Sequence, residues 1–438
     1  MKKSMFIRIG CAVVSIQLLL SSSAFAQNRV SKDRQAAILK DVCEKLAKYY
    51  TFPEIGEKSA LGIMKKFENG GYSENATPEE FTEALNKDLF EISRDKHLKL
   101  IYDPEGAKAM SEGETKGEAP DAEAKSDRWR NFGFKELKIL DGNIGYLNLS
   151  DFCSVKYAGA KAVAAMDFFS DCRSMIIDLR QNGGGSDDMV VFLASYFIDS
   201  VEPIVFRISY STIDGTYYTS MLPAYVPGKR LTHVPIYLLT SRATASAAEA
   251  FACILKNYNQ NVVIVGRKTR GAENPVSHLP VGDEYILRIP SWRKIYSSLK
   301  TTWEGTGLSP DIDVEEGKAL FTAHLEGLKK LSASTTDEAE LSHYRWAYDG
   351  VKAIHDPVSI KKSILKSYAG IYSDKKILYE KGELYYDRDR LRLIPISENY
   401  FLVESIDYFR IKFIKENGHA DAFERIFIYG YSSRHTRK

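Results

Sequence analysis

Three short apolar runs constrain this chain more than any other feature: Ser174-Met175-Ile176-Ile177-Asp178-Leu179, Val234-Pro235-Ile236-Tyr237-Leu238-Leu239-Thr240 and Val262-Val263-Ile264-Val265-Gly266. Each is short, rich in β-branched residues and nearly continuous, the pattern of a strand buried on both faces. Helical spacing alternates with them: residues 158–169 precede the first run, and Ala248, Phe251, Ala252 and Leu255 separate the second from the third. Strand and helix signals in this order predict an α/β core.

Each run leads into a segment with chemical potential. The second feeds Thr244-Ala245-Ser246-Ala247-Ala248-Glu249, which sets a serine where a strand turns into a helix. There the first-turn N–H groups lack intrahelical partners and the positive end of the helix dipole faces outward. An oxyanion formed beside Ser246 would find donors in place. The plainer role is a helix cap, since serine and threonine are common there. The first run enters Arg180-Gln181-Asn182-Gly183-Gly184-Gly185-Ser186. Three glycines permit backbone conformations closed to other residues, and their N–H groups can aim at a substrate carbonyl oxygen; a tight turn is the ordinary alternative. Neither the Lys-Ser/Thr of a phosphate loop nor GxGxxG is present, so nucleotide binding is not expected. The third run leads to Arg267-Lys268-Thr269-Arg270-Gly271-Ala272-Glu273-Asn274-Pro275. Residues 285–290 alternate like a half-buried strand, and Glu304 falls in an irregular loop, where a lone carboxylate is usually solvated.

Residues 1–26 read as a secretory signal peptide, with Lys2, Lys3 and Arg8 before an apolar run and Ala24-Phe25-Ala26 as the cleavage site. The run is too short for a membrane-spanning helix, and Cys11 lies inside it rather than at the cleavage site. The expectation is an exported bacterial protein, periplasmic or extracellular, with no transmembrane segment after cleavage. A formal net charge of +2 with 27% charged residues gives no electrostatic case for nucleic acid or an anionic membrane as partner. Cys43, Cys153, Cys172 and Cys253 show neither CxxC nor zinc spacing and read as buried thiols.

Residues 27–100 are expected to form a helical module of three amphipathic helices. It ends in Asp95-Lys96-His97-Leu98, which leaves His97 at a domain seam, where a lone histidine is more often structural than catalytic. The Glu-, Ala-, Gly- and Lys-rich stretch beyond it predicts a flexible linker over 101–128. The α/β core is assigned to 129–332 and a connecting segment to 333–360. Short alternating strands over 361–438 suggest a small antiparallel β-barrel-like domain with a tyrosine-rich core.

Taken together, these pieces resemble the tail-specific (C-terminal-processing) serine peptidase family, on the branch with the tricorn-protease core and the interphotoreceptor retinoid-binding repeats. The matching stretches are Tyr50-Thr51-Phe52-Pro53-Glu54, Asp95-Lys96-His97-Leu98, Asp178 to Gly185, Thr240-Ser241 with Thr244 to Glu249, Gly271 to Pro275, and Glu304-Gly305-Thr306-Gly307 with Pro310-Asp311-Ile312. They run from residue 45 to about 315 in the family's order. The resemblance implies a crotonase-like ββα core and Ser246 as nucleophile. The larger branch uses a lysine base after a Thr-x-Gly, but here Thr269-Arg270-Gly271 is followed by Ala272. The tricorn-like branch uses histidine and glutamate, and His97 and Glu304 fall on the matching positions. That branch has a serine directly before its histidine, whereas Lys96 stands here.

The chemistry points the same way. A serine hydroxyl needs a base within reach and a third group to orient it. His97 would act as general base, Glu304 would hold its tautomer, and the N–H groups of Ala247 and of Gly184 or Gly185 would form the oxyanion hole. The expected activity is hydrolysis of a peptide or protein substrate through an acyl-enzyme, with no metal or organic cofactor. The rivals are a non-catalytic ligand- or peptide-binding protein on the same fold, and a Ser–Lys peptidase using Lys268. An α/β-hydrolase is not expected, because alanines flank Ser246 where GxSxG would stand. No peptide-binding insert is visible; Arg242 and Arg270 are candidates for pairing a terminal carboxylate, with surface solvation the plainer reading.

Overall fold

The computed structural model describes residues 29–112, 126–199, 204–296, 302–416 and 419–438. The signal-peptide reading of residues 1–26 lies outside them. Among the described residues no helix is long and apolar enough to cross a membrane.

The three apolar runs become the centre of a six-stranded sheet. Its order is Ile312–Asp313, Val262–Gly266, Ile236–Thr240, Ser174–Asp178, Ile144–Leu149 and Phe134–Leu140, with all neighbours parallel except the last pair. Side chains alternate between two cores, as the period of a strand requires. Ile177, Ile236 and Leu238 face helices Val155–Phe168, Asp187–Ala194 and Ala247–Tyr258. Ile176, Tyr237 and Leu239 face Ala319–Ser334 and Glu338–His355. Coverage on both sides explains why those runs carry no polar alternation. The loops at the carboxyl ends of Ser174–Asp178, Ile236–Thr240 and Val262–Gly266 all open at one edge, the usual place for a site in an open α/β sheet.

Helices Lys32–Tyr49, Pro53–Glu68 and Pro78–Ser93 form the expected bundle. Ser31 caps the first, proline starts the other two, and a Thr77–Glu80 capping box starts the third. The module is not closed at residue 100, however. Lys99–Tyr102 pairs antiparallel with Tyr285–Pro290, which pairs with Val276–Val281. Leu46, Ile63 and Leu85 share one core with Val281, Tyr285, Leu287 and Ile289. Strands assigned to the α/β core thus complete the N-terminal body, because three short helices alone leave an apolar face uncovered.

Two further assignments change. Within the expected linker, Pro104–Ser111 is a helix capped by Asp103, and Ala107 is fully buried against that same small sheet. The expected connecting segment contains helix Glu338–His355, whose Tyr344, Ala347 and Val351 place an apolar stripe on the core. A second small sheet, Trp292–Tyr296, Val205–Ser211 and Tyr217–Met221, is antiparallel. The four cysteines of the described residues are free thiols.

The C-terminal eight strands run from Gly370–Tyr372 to Ser432–Thr436 as an antiparallel meander. A bridge from Tyr372 to Arg437, with Ser373 N–H donating to Thr436 O at 2.8 Å, closes the first strand on the last. The barrel interior is filled by aromatic rings, among them Tyr368 stacked on Phe413 at 4.2 Å with Tyr372, Phe401 and Phe423. Side chains filling an eight-stranded barrel leave a packed core rather than a channel.

Candidate active site

Ser246 stands at the N-cap of helix Ala247–Tyr258 with φ 53° and ψ −117°. A non-glycine residue at positive φ is held there only by its surroundings. The holding group is Glu249, which is fully buried. Its Oε2 accepts the N–H of Ser246 at 2.9 Å and of Ala272 at 2.8 Å. Its Oε1 accepts the Gly271 N–H at 2.7 Å and the Thr269 hydroxyl. Glu249 therefore ties the serine turn to the loop after the third central strand. Sequence reasoning missed this role, although Ser-x-x-Glu over 246–249 carried the capping-box signal.

The loop before Ser246 is fixed from the other side. The Thr244 hydroxyl donates to Leu179 O at 2.8 Å and the Ser241 hydroxyl to Arg180 O at 2.6 Å. Ala245 N–H donates to Asn182 O at 3.1 Å. These bonds press the glycine triplet against the serine. A Cβ on Gly184 (φ +122°) would lie 2.8 Å from Ser246 Cβ and 3.2 Å from Ala247 N. The Gly184 N–H already donates to Asn182 Oδ1 at 2.9 Å. Among the described residues no acceptor is found for the N–H of Gly185 or of Ala247.

His97 Nδ1 lies 3.4 Å from Glu304 Oε1, each side chain 14% exposed, an ion-pair contact that falls short of hydrogen-bond geometry. Glu304 Oε2 accepts the N–H groups of Glu273 at 2.7 Å and Asn274 at 2.9 Å. Burial pushes the Glu304 carboxyl up, but the His97 ring and these two N–H groups outweigh it and hold the group below the usual range. Glu273 answers in kind, accepting from Trp303 N–H at 3.0 Å, Glu304 N–H at 3.2 Å and the Thr302 hydroxyl; burial raises its own carboxyl. Asp95, also missed, sits behind His97. It accepts the His97 N–H at 2.7 Å and the Tyr50 hydroxyl at 2.8 Å, and its Oδ1 is 3.7 Å from Nδ1.

Two glycines bring these parts together. Gly271 (φ +83°) and Gly307 (φ +76°) lie where the two loops pack backbone against backbone, and a Cβ on Gly271 would come within 2.7 Å of Gly307 N. The strip 271–274 is then bonded to Glu249 at one end and to Glu304 at the other. The strip thus links the Ser246 turn, through Glu249, to Glu304, although these residues are distant in sequence. Among the described residues no hydrogen bond joins Ser246 Oγ to the His97 ring. Lys268, the alternative base, is exposed, as are Arg242 and Arg270.

A family model described as peptidase family S41 matches residues 143–314, and one described as the N-terminal domain of this peptidase in eukaryotic IRBP matches 30–130. The chain belongs to peptidase family S41. This S41 member is 24% identical over 220 residues to a CtpA-like serine protease of Staphylococcus saprophyticus, covering 50% of this chain and 43% of that one. It is 29% identical over 191 residues to the chloroplastic carboxyl-terminal-processing peptidase 3 of Arabidopsis thaliana, covering 43% and 35%. The chain thus spans less than half the length of these curated relatives. A solved photosystem II D1 C-terminal processing protease superposes with a TM-score of 0.46 at 15% identity, covering 68% of this chain and 96% of the other.

Proposed function

We propose that this S41 member is an exported serine endopeptidase on a crotonase-like core, acting on peptide or protein substrates. The observation that carries the reading is the His97–Glu304 pair, hung on residues 273–274 next to the strip that anchors the Ser246 turn. With the Nδ1 proton directed at Glu304, Nε2 is left to accept the Ser246 proton. The alkoxide adds to the scissile carbonyl carbon, and the tetrahedral oxyanion is received by the N–H groups of Ala247 and Gly185. Gly184 is the weaker candidate, because its N–H is already engaged. Collapse transfers the His97 proton to the leaving amine and leaves an ester on Ser246. Water then repeats the cycle, giving its proton to His97 as it attacks the ester. Substrate binding draws the His97 and Ser246 loops together, since catalytic hydrogen bonds tighten in the occupied site.

Lys268 is exposed, and among the described residues no hydrogen bond joins it to Ser246. The test is cleavage of a mixed peptide library by the wild type against Ser246→Ala, His97→Ala and Lys268→Ala. Activity lost in the first two and kept in the third is expected; activity that persists in His97→Ala would refute the assignment of the base.

A further inference from the structure

An arginine lies buried between the C-terminal barrel and helix Glu338–His355. Arg410 is 1% exposed, although arginine is almost never fully buried unless paired. Its strand, Ile406–Glu416, explains the direction it takes. Phe409, Ile411 and Phe413 fill the barrel, so Arg410, of the opposite parity, points outward onto the helix. Gly350 of that helix leaves it room, since a Cβ there would lie 3.0 Å from Arg410 Nη2. The pairing is incomplete. Nη2 donates to Trp346 O, and the guanidinium lies 3.9 Å from the centre of the Trp346 ring. Nη1 stands 3.8 Å from Asp349 Oδ2, beyond hydrogen-bond range, and Nε is buried without a partner among the described residues.

The same arginine lines a cavity of about 620 Å³, within the size range of small-molecule sites. One wall is the helix face of Trp346, Ala347 and Gly350; the other is the turn from Leu402 to Tyr408, with Tyr429 from a neighbouring turn. Tyr408 and Tyr429 are 51% and 80% exposed, and the exposed carboxylates of Asp141 and Asp407 complete the lining. These groups select among ligands. A purely apolar ligand would leave the buried guanidinium as poorly paired as before. A free anion would meet one fixed cation set among three carboxylates, those of Asp141, Asp349 and Asp407. The imidazole of His343, also on the lining, offsets them only when protonated. A neutral polyhydroxylated ligand meets both demands. Its hydroxyl oxygens accept from the guanidinium while its hydroxyl hydrogens donate to the carboxylates. Its C–H faces suit the electron-rich faces of the two exposed tyrosine rings.

We propose that this cavity binds a neutral saccharide, its hydroxyls held by Arg410, Asp141 and Asp407 and its ring packed on Tyr408 and Tyr429. The cavity shares no lining residue with the Ser246 site, so the inference stands apart from the peptidase reading. Binding is measured by isothermal titration calorimetry on the full chain. The probes are cellobiose, maltose, lactose and N,N′-diacetylchitobiose, with sodium sulfate and sodium glucuronate as anionic counterparts.

At least one of the four disaccharides is expected to bind saturably and more tightly than either anion. Replacing both exposed rings, Tyr408→Ala with Tyr429→Ala, should weaken it about 10-fold, the combined effect of two ring contacts. Arg410→Met should weaken it about 10- to 100-fold, the range of a charge-assisted hydrogen bond, and Asp407→Asn by a smaller factor. Circular dichroism reports whether each variant is folded; the two rings are at the surface, so their replacement tests the proposal even where Arg410→Met does not fold. No binding by any of the four sugars would overturn the proposal, as would sugar binding unchanged in the ring variant. Tighter binding of sulfate or glucuronate, lost in Arg410→Met, would assign the cavity to an anion and likewise overturn it.

Discussion

Replacing Glu249 by glutamine isolates what the buried carboxylate does at the Ser246 turn. A carboxylate accepts at both oxygens, whereas glutamine accepts at one. If the carbonyl oxygen keeps Ser246 and Ala272, the amide group faces the Gly271 N–H and the Thr269 hydroxyl. The hydroxyl can turn to accept, but the Gly271 N–H is left buried without an acceptor. That orphan costs about 1–3 kcal/mol, and the bonds that remain lose their charge assistance, so the total is about 2–4 kcal/mol. For a catalytic body of this size the melting temperature should fall by about 5–12 °C. Because the positive φ of Ser246 depends on the same carboxylate, fluorophosphonate labelling should slow at least about tenfold. Differential scanning fluorimetry and intact-mass labelling read the two effects. Unchanged melting and unchanged labelling in Glu249→Gln would refute the argument that this carboxylate holds the turn.

Gly184→Ala should fold but lose about 100-fold or more in peptide turnover, since its Cβ would meet Ser246 Cβ at 2.8 Å with φ at +122°; steady-state kinetics with a circular-dichroism control check this. Asp95→Ala removes the acceptor of the His97 N–H and should lower kcat about 10- to 100-fold with KM little changed, while Tyr50→Phe should have a smaller effect in the same direction. The Lys294 side chain is 3% exposed, and Lys294→Met should stabilise the fold. With the folded-state value near 8 and the unfolded near 10.4, the unfolded chain binds more protons between those pH values, so wild-type stability rises with pH across that window. Below about pH 8 the full penalty of about 3 kcal/mol is present, and its removal by the substitution is measurable by urea unfolding at pH 7.

How much was legible in the sequence depends on what each pattern encodes. Two-sided burial leaves a continuous apolar run, so Ser174–Asp178, Ile236–Thr240 and Val262–Gly266 could be read directly, and the serine turn and glycine triplet with them. The pairing of His97 with Glu304 came from family resemblance, because no local pattern links residues on different loops. Periodicity missed what depends on distant partners. The N-terminal helices carry no sign that Tyr285 and Leu287 will complete their core. Helix Glu338–His355 was hidden by its polar composition, since only a narrow stripe of Tyr344, Ala347 and Val351 is buried. Lys294 looks like any charged residue on an alternating strand, and only the folded sheet turns it inward.

The central claim is that Ser246 is a nucleophile activated by His97, whose ring Glu304 orients. It is tested most directly by the rate of fluorophosphonate modification, followed by intact mass and by peptide mapping. The wild type should gain one adduct on Ser246, with the rate falling about 1000-fold or more in His97→Ala and by a smaller factor in Glu304→Gln. Equal rates in wild type and His97→Ala, or an adduct on any other residue, would contradict it.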